Sequence, residues 1–269
     1  MAVTDPARAP VAVLIGGVSE LYQRDLDLGR LAVERLQVED LGPGVVVEEL
    51  HYGAVAVAQR LEELRPAALV LVSAVRRGRR PGAVERRRLD PPERSTADVQ
   101  AAVGDAVTGY VHPDLVVEVA AALGVLPGRT VAVEVEPELT GSGEGLSPLA
   151  AAGLETALDL VRAEGRRAPL LSLAAELRPL VMSDRLENSG ALSALRNLLA
   201  ELVLLDREGR WGRAFAMRSH LKLNIAQVAT SEGMDHRDWG LWWALIEELD
   251  RVEALEAVAD QTGARQSDR

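Results

Sequence analysis

Val11-Ala12-Val13-Leu14-Ile15 is an unbroken apolar run, and this run constrains the chain more than any other feature. Apolar residues without polar alternation mark a strand buried on both faces, which requires cover above and below it. Gly16 and Gly17 follow, and they are expected to end the strand where the chain must turn sharply or expose backbone N–H groups. After the polar segment Ser19 to Asp27, Leu28, Leu31, Ala32 and Leu36 recur at helical spacing, with Glu34 and Arg35 opposite.

The same unit repeats along the chain. Val45 to Leu50 reads as a second strand and Val55 to Leu64 as a helix closed by Pro66. Ala67 to Val72 is another doubly buried strand ending at Ser73, and residues 82–89 suit an edge strand. Residues 90–109 are turn-rich and then helix-like. Pro113 and Asp114 open a helix over Leu115 to Leu123 that Gly124 closes. Thr130 to Val135 is the next strand, and Gly141 to Gly145 is expected to be a flexible loop. Ser147 as N-cap and Pro148 at the first helical position start a helix predicted to end near Glu164. Strands alternating with helices in this way predict an α/β fold with a mainly parallel sheet covered on both faces.

Beyond Gly165-Arg166-Arg167 the strand pattern stops. Leu170 to Leu180, Ala191 to Leu205, Phe215 to Ala229 and Trp239 to Val258 each show helical spacing. The expected organisation is a loose leader over 1–10, an α/β domain over 11–165, a small all-helical C-terminal domain over 168–261 and a disordered tail over 262–269. Trp211, Phe215, Trp239, Trp242 and Trp243 all fall in the helical part. They have two readings, the core of a small helical domain or a face that binds a further protein. Core is the simpler for most of them. The lone histidine of Ser219-His220-Leu221-Lys222 has no companion ligands at metal spacing and reads as structural.

Composition excludes several classes. A formal net charge of −11 argues against general nucleic-acid binding. With no cysteine, disulfides, thiolate metal sites and a cysteine nucleophile are all ruled out. No apolar run reaches spanning length and residues 1–10 lack a secretory pattern, so a cytoplasmic protein without membrane attachment is expected. The basic segments Arg76-Arg77-Gly78-Arg79-Arg80 and Arg86-Arg87-Arg88 stand out against this background. They read first as a solvated turn and a charged strand edge, and second as a dock for an acidic partner segment.

Five elements of residues 10–165 resemble the nickel–iron hydrogenase maturation endopeptidases. They are Val13-Leu14-Ile15-Gly16-Gly17, then Asp25-Leu26-Asp27-Leu28-Gly29, then Leu69 to Gly78, then Tyr110-Val111-His112-Pro113-Asp114-Leu115, and last Val131 to Glu138 with Gly145-Leu146-Ser147-Pro148. Their order and spacing agree with the family. The resemblance implies a three-layer α/β/α sandwich and removal of a C-terminal extension from a nickel–iron hydrogenase large subunit after nickel insertion. It also implies that two carboxylates and one histidine recognise the client's nickel, with no cofactor of the protein's own. Those ligand types suit a divalent first-row metal.

Carried onto this chain, the histidine position is His112. The loop carboxylate falls on Leu26 by strict register, flanked by Asp25 and Asp27, and the central-strand aspartate is replaced by Ser73. An altered metal site from Asp25 or Asp27, His51 and His112 is one expectation. The other is that these histidines are structural and the acids solvated. Two functions follow: an endopeptidase on the hydrogenase large subunit, or a non-catalytic assembly factor with a degenerate site. Ser73, His112 and Asp114 have the residue types of a serine triad, but Val72-Ser73-Ala74 is not a nucleophile elbow. Gly16-Gly17 also lacks the three-glycine dinucleotide fingerprint.

Overall fold

The computed structural model describes residues 11–90, 112–181, 190–208, 223 and 236–267. Five strands form one sheet: β1 (Val13–Gly17), β2 (Val45–Glu49), β3 (Ala68–Ala74), β4 (Val84–Leu89) and β5 (Arg129–Val135). Their spatial order is β2-β1-β3-β5-β4, with every pairing parallel except the antiparallel β4–β5 edge. The helices are α1 (Leu28–Leu36), α2 (Ala54–Leu64), α3 (Pro113–Ala122), α4 (Pro148–Val181), α5 (Gly190–Glu208) and α6 (His236–Ser267).

All residues of β1, β3 and β5 are buried, as unbroken apolar runs require. Successive side chains leave the sheet on opposite faces. Leu14, Leu69 and Leu71 join Val57, Ala58 and Leu61 of α2 and Val116, Val119 and Ala120 of α3 in one apolar cluster. On the opposite face, Gly17 of β1 meets Gly29 and Val33 of α1, while Val135 and Ile15 meet Gly153 and Gly165 of α4. Helices therefore cover both faces, and the architecture is a three-layer α/β/α sandwich. Among the described residues no helix is long and apolar enough to cross a membrane.

Gly16 and Gly17 do not form the expected turn. Both lie inside β1, paired with Leu71 and Val72 of β3. Their small size is used for close packing: a Cβ on Gly16 would stand 2.1 Å from Leu50 Cδ1, and one on Gly17 would stand 2.3 Å from the Gly29 carbonyl oxygen. The Gly141–Gly145 segment is held in place rather than loose. Gly143 N–H donates to the Tyr22 carbonyl and Arg24 N–H donates to the Gly143 carbonyl.

The chain divides into two compact units, Met1–Gly165 and Arg166–Arg269. Two expected boundaries are corrected. Helix α4 does not stop near Glu164 but continues to Val181 through Pro169 and Pro179, and α6 continues through Ser267 where a disordered tail was expected. Leu199, Leu202, Leu245, Leu249 and Val252 are buried within the second unit, whereas Trp243 is 50% exposed and is not core. The leader 1–10, residues 91–111, Trp211, Phe215 and His220 lie outside the described residues, as do the side chains of Trp239 and Trp242.

Candidate functional site

The chain passes from β1 through α1 to β2 on one side, then through α2 to β3 on the other side of β1. The connections thus diverge at the β1–β3 boundary, and open sheets of this kind leave a crevice beyond the strand ends at such a point. A cavity of about 550 Å³ opens there. Val18, Ser19 and Glu20 line it after β1, Gln23 and Leu26 from the loop before α1, and Ser73 to Arg77 from the end of β3. His112, Pro113 and Asp114 contribute the start of α3, and Thr140 and Gly141 the segment after β5.

Leu26, Ser73 and His112 all line this cavity, and these are the three positions onto which the resemblance carries the expected ligands. Asp25 and Asp27 face elsewhere. The Asp25 carboxylate is fully buried and accepts from Glu138 N at 2.8 Å, Leu139 N at 2.7 Å, Ser147 N at 2.6 Å and Ser147 Oγ at 2.9 Å. Four donors replace its water shell, so it ties the acidic loop to the start of α4. Asp27 takes Arg30 Nε at 3.0 Å and Arg30 Nη2 at 2.6 Å. One-residue alternation in the loop points Leu26 into the cavity and its acidic neighbours away.

His51 is not part of the cavity lining. Its Nδ1 stands 3.1 Å from a carboxylate oxygen of Glu49. His112 caps α3, with Nδ1 accepting from Leu115 N at 3.3 Å. The expected grouping of Asp25 or Asp27 with His51 and His112 is therefore corrected: among the described residues no three acidic or histidine side chains stand close enough to hold a metal. The three positions Leu26, Ser73 and His112 supply a hydrocarbon, a neutral hydroxyl and one imidazole, which by themselves do not fit a divalent cation, and the Asp114 carboxylate on the same lining is held by Arg77 and Arg87. A serine triad is not assembled either, because the buried Ser73 Oγ has no hydrogen-bond partner and His112 Nδ1 is occupied.

The arginine turn is exposed at Arg76, Arg77 and Arg80 and β4 is an edge of the sheet, yet most of these arginines are paired. Glu134, on β5 and without exposed surface, accepts Arg77 Nη2, Arg79 Nη2 and Arg87 Nη2, each at 2.8 Å. Arg77 and Arg87 reach on to Asp114 at 2.6 and 3.0 Å, fixing the start of α3. Glu136 accepts the Arg77 and Gly78 backbone N–H groups. Burial pushes the Glu134 carboxyl upward, but the bonds from Arg77 and Arg79 and the Arg87 charge outweigh it and hold it below its ordinary value. Glu134 bonds raise Arg77 further above the normal guanidinium range. Arg86 and Arg129 likewise meet on buried Glu164.

Sequence reasoning missed Glu134 as the centre of this network. The signal was available: an acid inside the apolar strand Val131 to Val135, beside a strand edge of three arginines. It also missed Glu20, Gln23, Arg76 and Thr140 as cavity residues. Arg76 differs from its neighbours, since it is exposed, lines the cavity and pairs with no acidic group among the described residues.

No protein-family model matches the sequence, and no curated protein matches it. Solved structures do. The hydrogenase 2 maturation peptidase from Thaumarchaeota archaeon SCGC_AB-539-E09 is 20% identical with a TM-score of 0.40, over 55% of this chain and 94% of that one. The endopeptidase HycI from Escherichia coli is 20% identical with a TM-score of 0.43, over 57% and 90%. The hydrogenase maturating endopeptidase HybD from E. coli is 23% identical with a TM-score of 0.39, over 62% and 93%. In fold, this chain is similar to these solved structures over 55–62% of its length.

Proposed function

We propose that this protein is a non-catalytic relative of the hydrogenase maturation endopeptidases, one that binds the C-terminal extension of a nickel–iron hydrogenase large subunit without cutting it. The observation that supports this reading is the wall of the β1–β3 cavity. It keeps the place of the family's site but presents Leu26 and Ser73 where two carboxylates are required. A cavity lined by hydroxyl, amide, imidazole, carboxylate and guanidinium groups beside Val18, Leu26, Val75 and Pro113 suits a segment of extended polypeptide. Nickel then belongs to the client and is not ligated here.

The test is intact-mass analysis of a nickel-loaded precursor large subunit incubated with this protein, followed by size-exclusion chromatography. Unchanged mass with co-elution is expected. Loss of a defined C-terminal peptide would establish an endopeptidase instead, and unchanged mass without association would reject the hydrogenase client.

A further inference from the structure

Ser73 Oγ is a buried hydroxyl without a hydrogen-bond partner, and Ser73 lines the cavity. Leaving such a group unmatched is costly, so a ligand acceptor there recovers what the fold forgoes. Arg76, on the same lining, brings a guanidinium that no acid neutralises among the described residues. The first turn of α3 adds backbone polarity of the same sign. Leu115 N–H is taken by His112 Nδ1 and Val116 N–H by the His112 carbonyl, and Pro113 has no N–H, which leaves the Asp114 N–H. The Asp114 side chain does not cancel this, because Arg77 and Arg87 hold it.

We propose that Ser73, Arg76 and the first turn of α3 form an oxyanion subsite whose ligand is the terminal carboxylate of a peptide chain. The assignment of a chain end rests on the reading given under Proposed function. Charge selects a monoanion over a more highly charged group. The Arg77 charge is already matched by Glu134 and Asp114, and Glu20 on the same lining opposes a second negative charge. A guanidinium and a hydroxyl on one cavity lining supply donors for the two oxygens of one carboxylate. The cavity of about 550 Å³ has room for residues preceding that carboxylate.

The experiment is calorimetric titration of the full-length chain at pH 7 with three probes: N-acetyl-tetra-alanine as the free acid, the same peptide as its C-terminal amide, and inorganic phosphate. No hydrogenase component enters, so failure of the client reading and failure of the subsite are separable. The acid should bind about tenfold tighter than the amide, and tighter than phosphate. Arg76→Gln should bring acid and amide to within about twofold, and Ser73→Ala should remove part of the preference. Arg80→Gln, which changes an exposed arginine outside the cavity lining, should leave the preference intact. Equal binding of acid and amide, no binding by either, or an Arg80→Gln loss as large as that of Arg76→Gln overturns the subsite. Phosphate binding more tightly than the acid overturns the terminal carboxylate as its ligand.

Discussion

Glu134 carries a full negative charge at neutral pH in a strand whose other side chains are all buried. Such a charge persists only where cations and donors replace water, and here three guanidinium groups do so. Glu134→Gln keeps the size and removes the charge, leaving Arg77, Arg79 and Arg87 crowded without their common partner. The expected loss is about 3 kcal/mol at pH 7, toward the low end for a broken buried pair because the arginines are partly exposed. The pH dependence has a definite sign. The folded-state carboxyl lies below its ordinary value of 4.5, so its stabilisation is fully present above that pH and disappears as pH falls through the lower folded value. Urea unfolding from pH 7 to pH 3 should show the gap between wild type and Glu134→Gln shrinking below about pH 4.5. A gap that stays constant into acid would mean that shape, not charge, holds the arginines. At this scale the arginine run and the lone acid of an apolar strand were both visible in the sequence, but not that they meet, because pairing across β4 and β5 joins residues far apart in the chain.

At the scale of elements, β1 and α1 approach through glycine on both sides. A Cβ on Gly29 would stand 2.4 Å from the Val18 carbonyl oxygen and 2.7 Å from its nitrogen, and backbone cannot swing aside as a side chain does. Gly29→Ala should therefore push α1 off β1 and destabilise the protein by about 2–3 kcal/mol, read as a lower urea midpoint with an unchanged slope. An alanine variant as stable as wild type would show that the two elements have slack. The apolar runs made β1, β3 and β5 legible because a strand covered on both faces needs no polar residue. Their ends were less legible: Gly16 and Gly17 look like punctuation until the packing of Leu50 and Gly29 is seen. The continuation of α4 was hidden for a related reason. Gly165 and Pro169 usually mark a stop, since glycine costs a helix about 1 kcal/mol and an interior proline about 3 kcal/mol, and burial of Ala168, Leu170 and Leu177 works against that cost. In the site, the same uncertainty decides function, since one step of the loop exchanges Leu26 for Asp25 or Asp27 as the residue facing the cavity.

At the scale of the whole chain, the sheet order fixes where the site lies and the loops fix what it can bind. The order β2-β1-β3-β5-β4 follows from strand–helix alternation and from connections that change sides of β1, so the crevice beyond β1 and β3 was foreseeable from topology. The donors within it were not, because side-chain direction in an irregular loop depends on contacts such as those of Asp25 with Ser147. Every residue of the cavity lining, Val18 to Gly141, belongs to the first unit, and so do Arg86, Arg129 and Glu164, which anchor α4 beside the sheet. A chain ending at Arg167 keeps all of these groups and leaves out Ala168, Leu170, Leu171 and Leu177, buried residues that belong to the second unit. Such a chain should unfold in a single cooperative transition and bind N-acetyl-tetra-alanine acid within about twofold of the full-length protein, as expected for groups that do not share partners. A loss of tenfold or more with folding intact would mean that residues after Arg167 contribute to ligand binding.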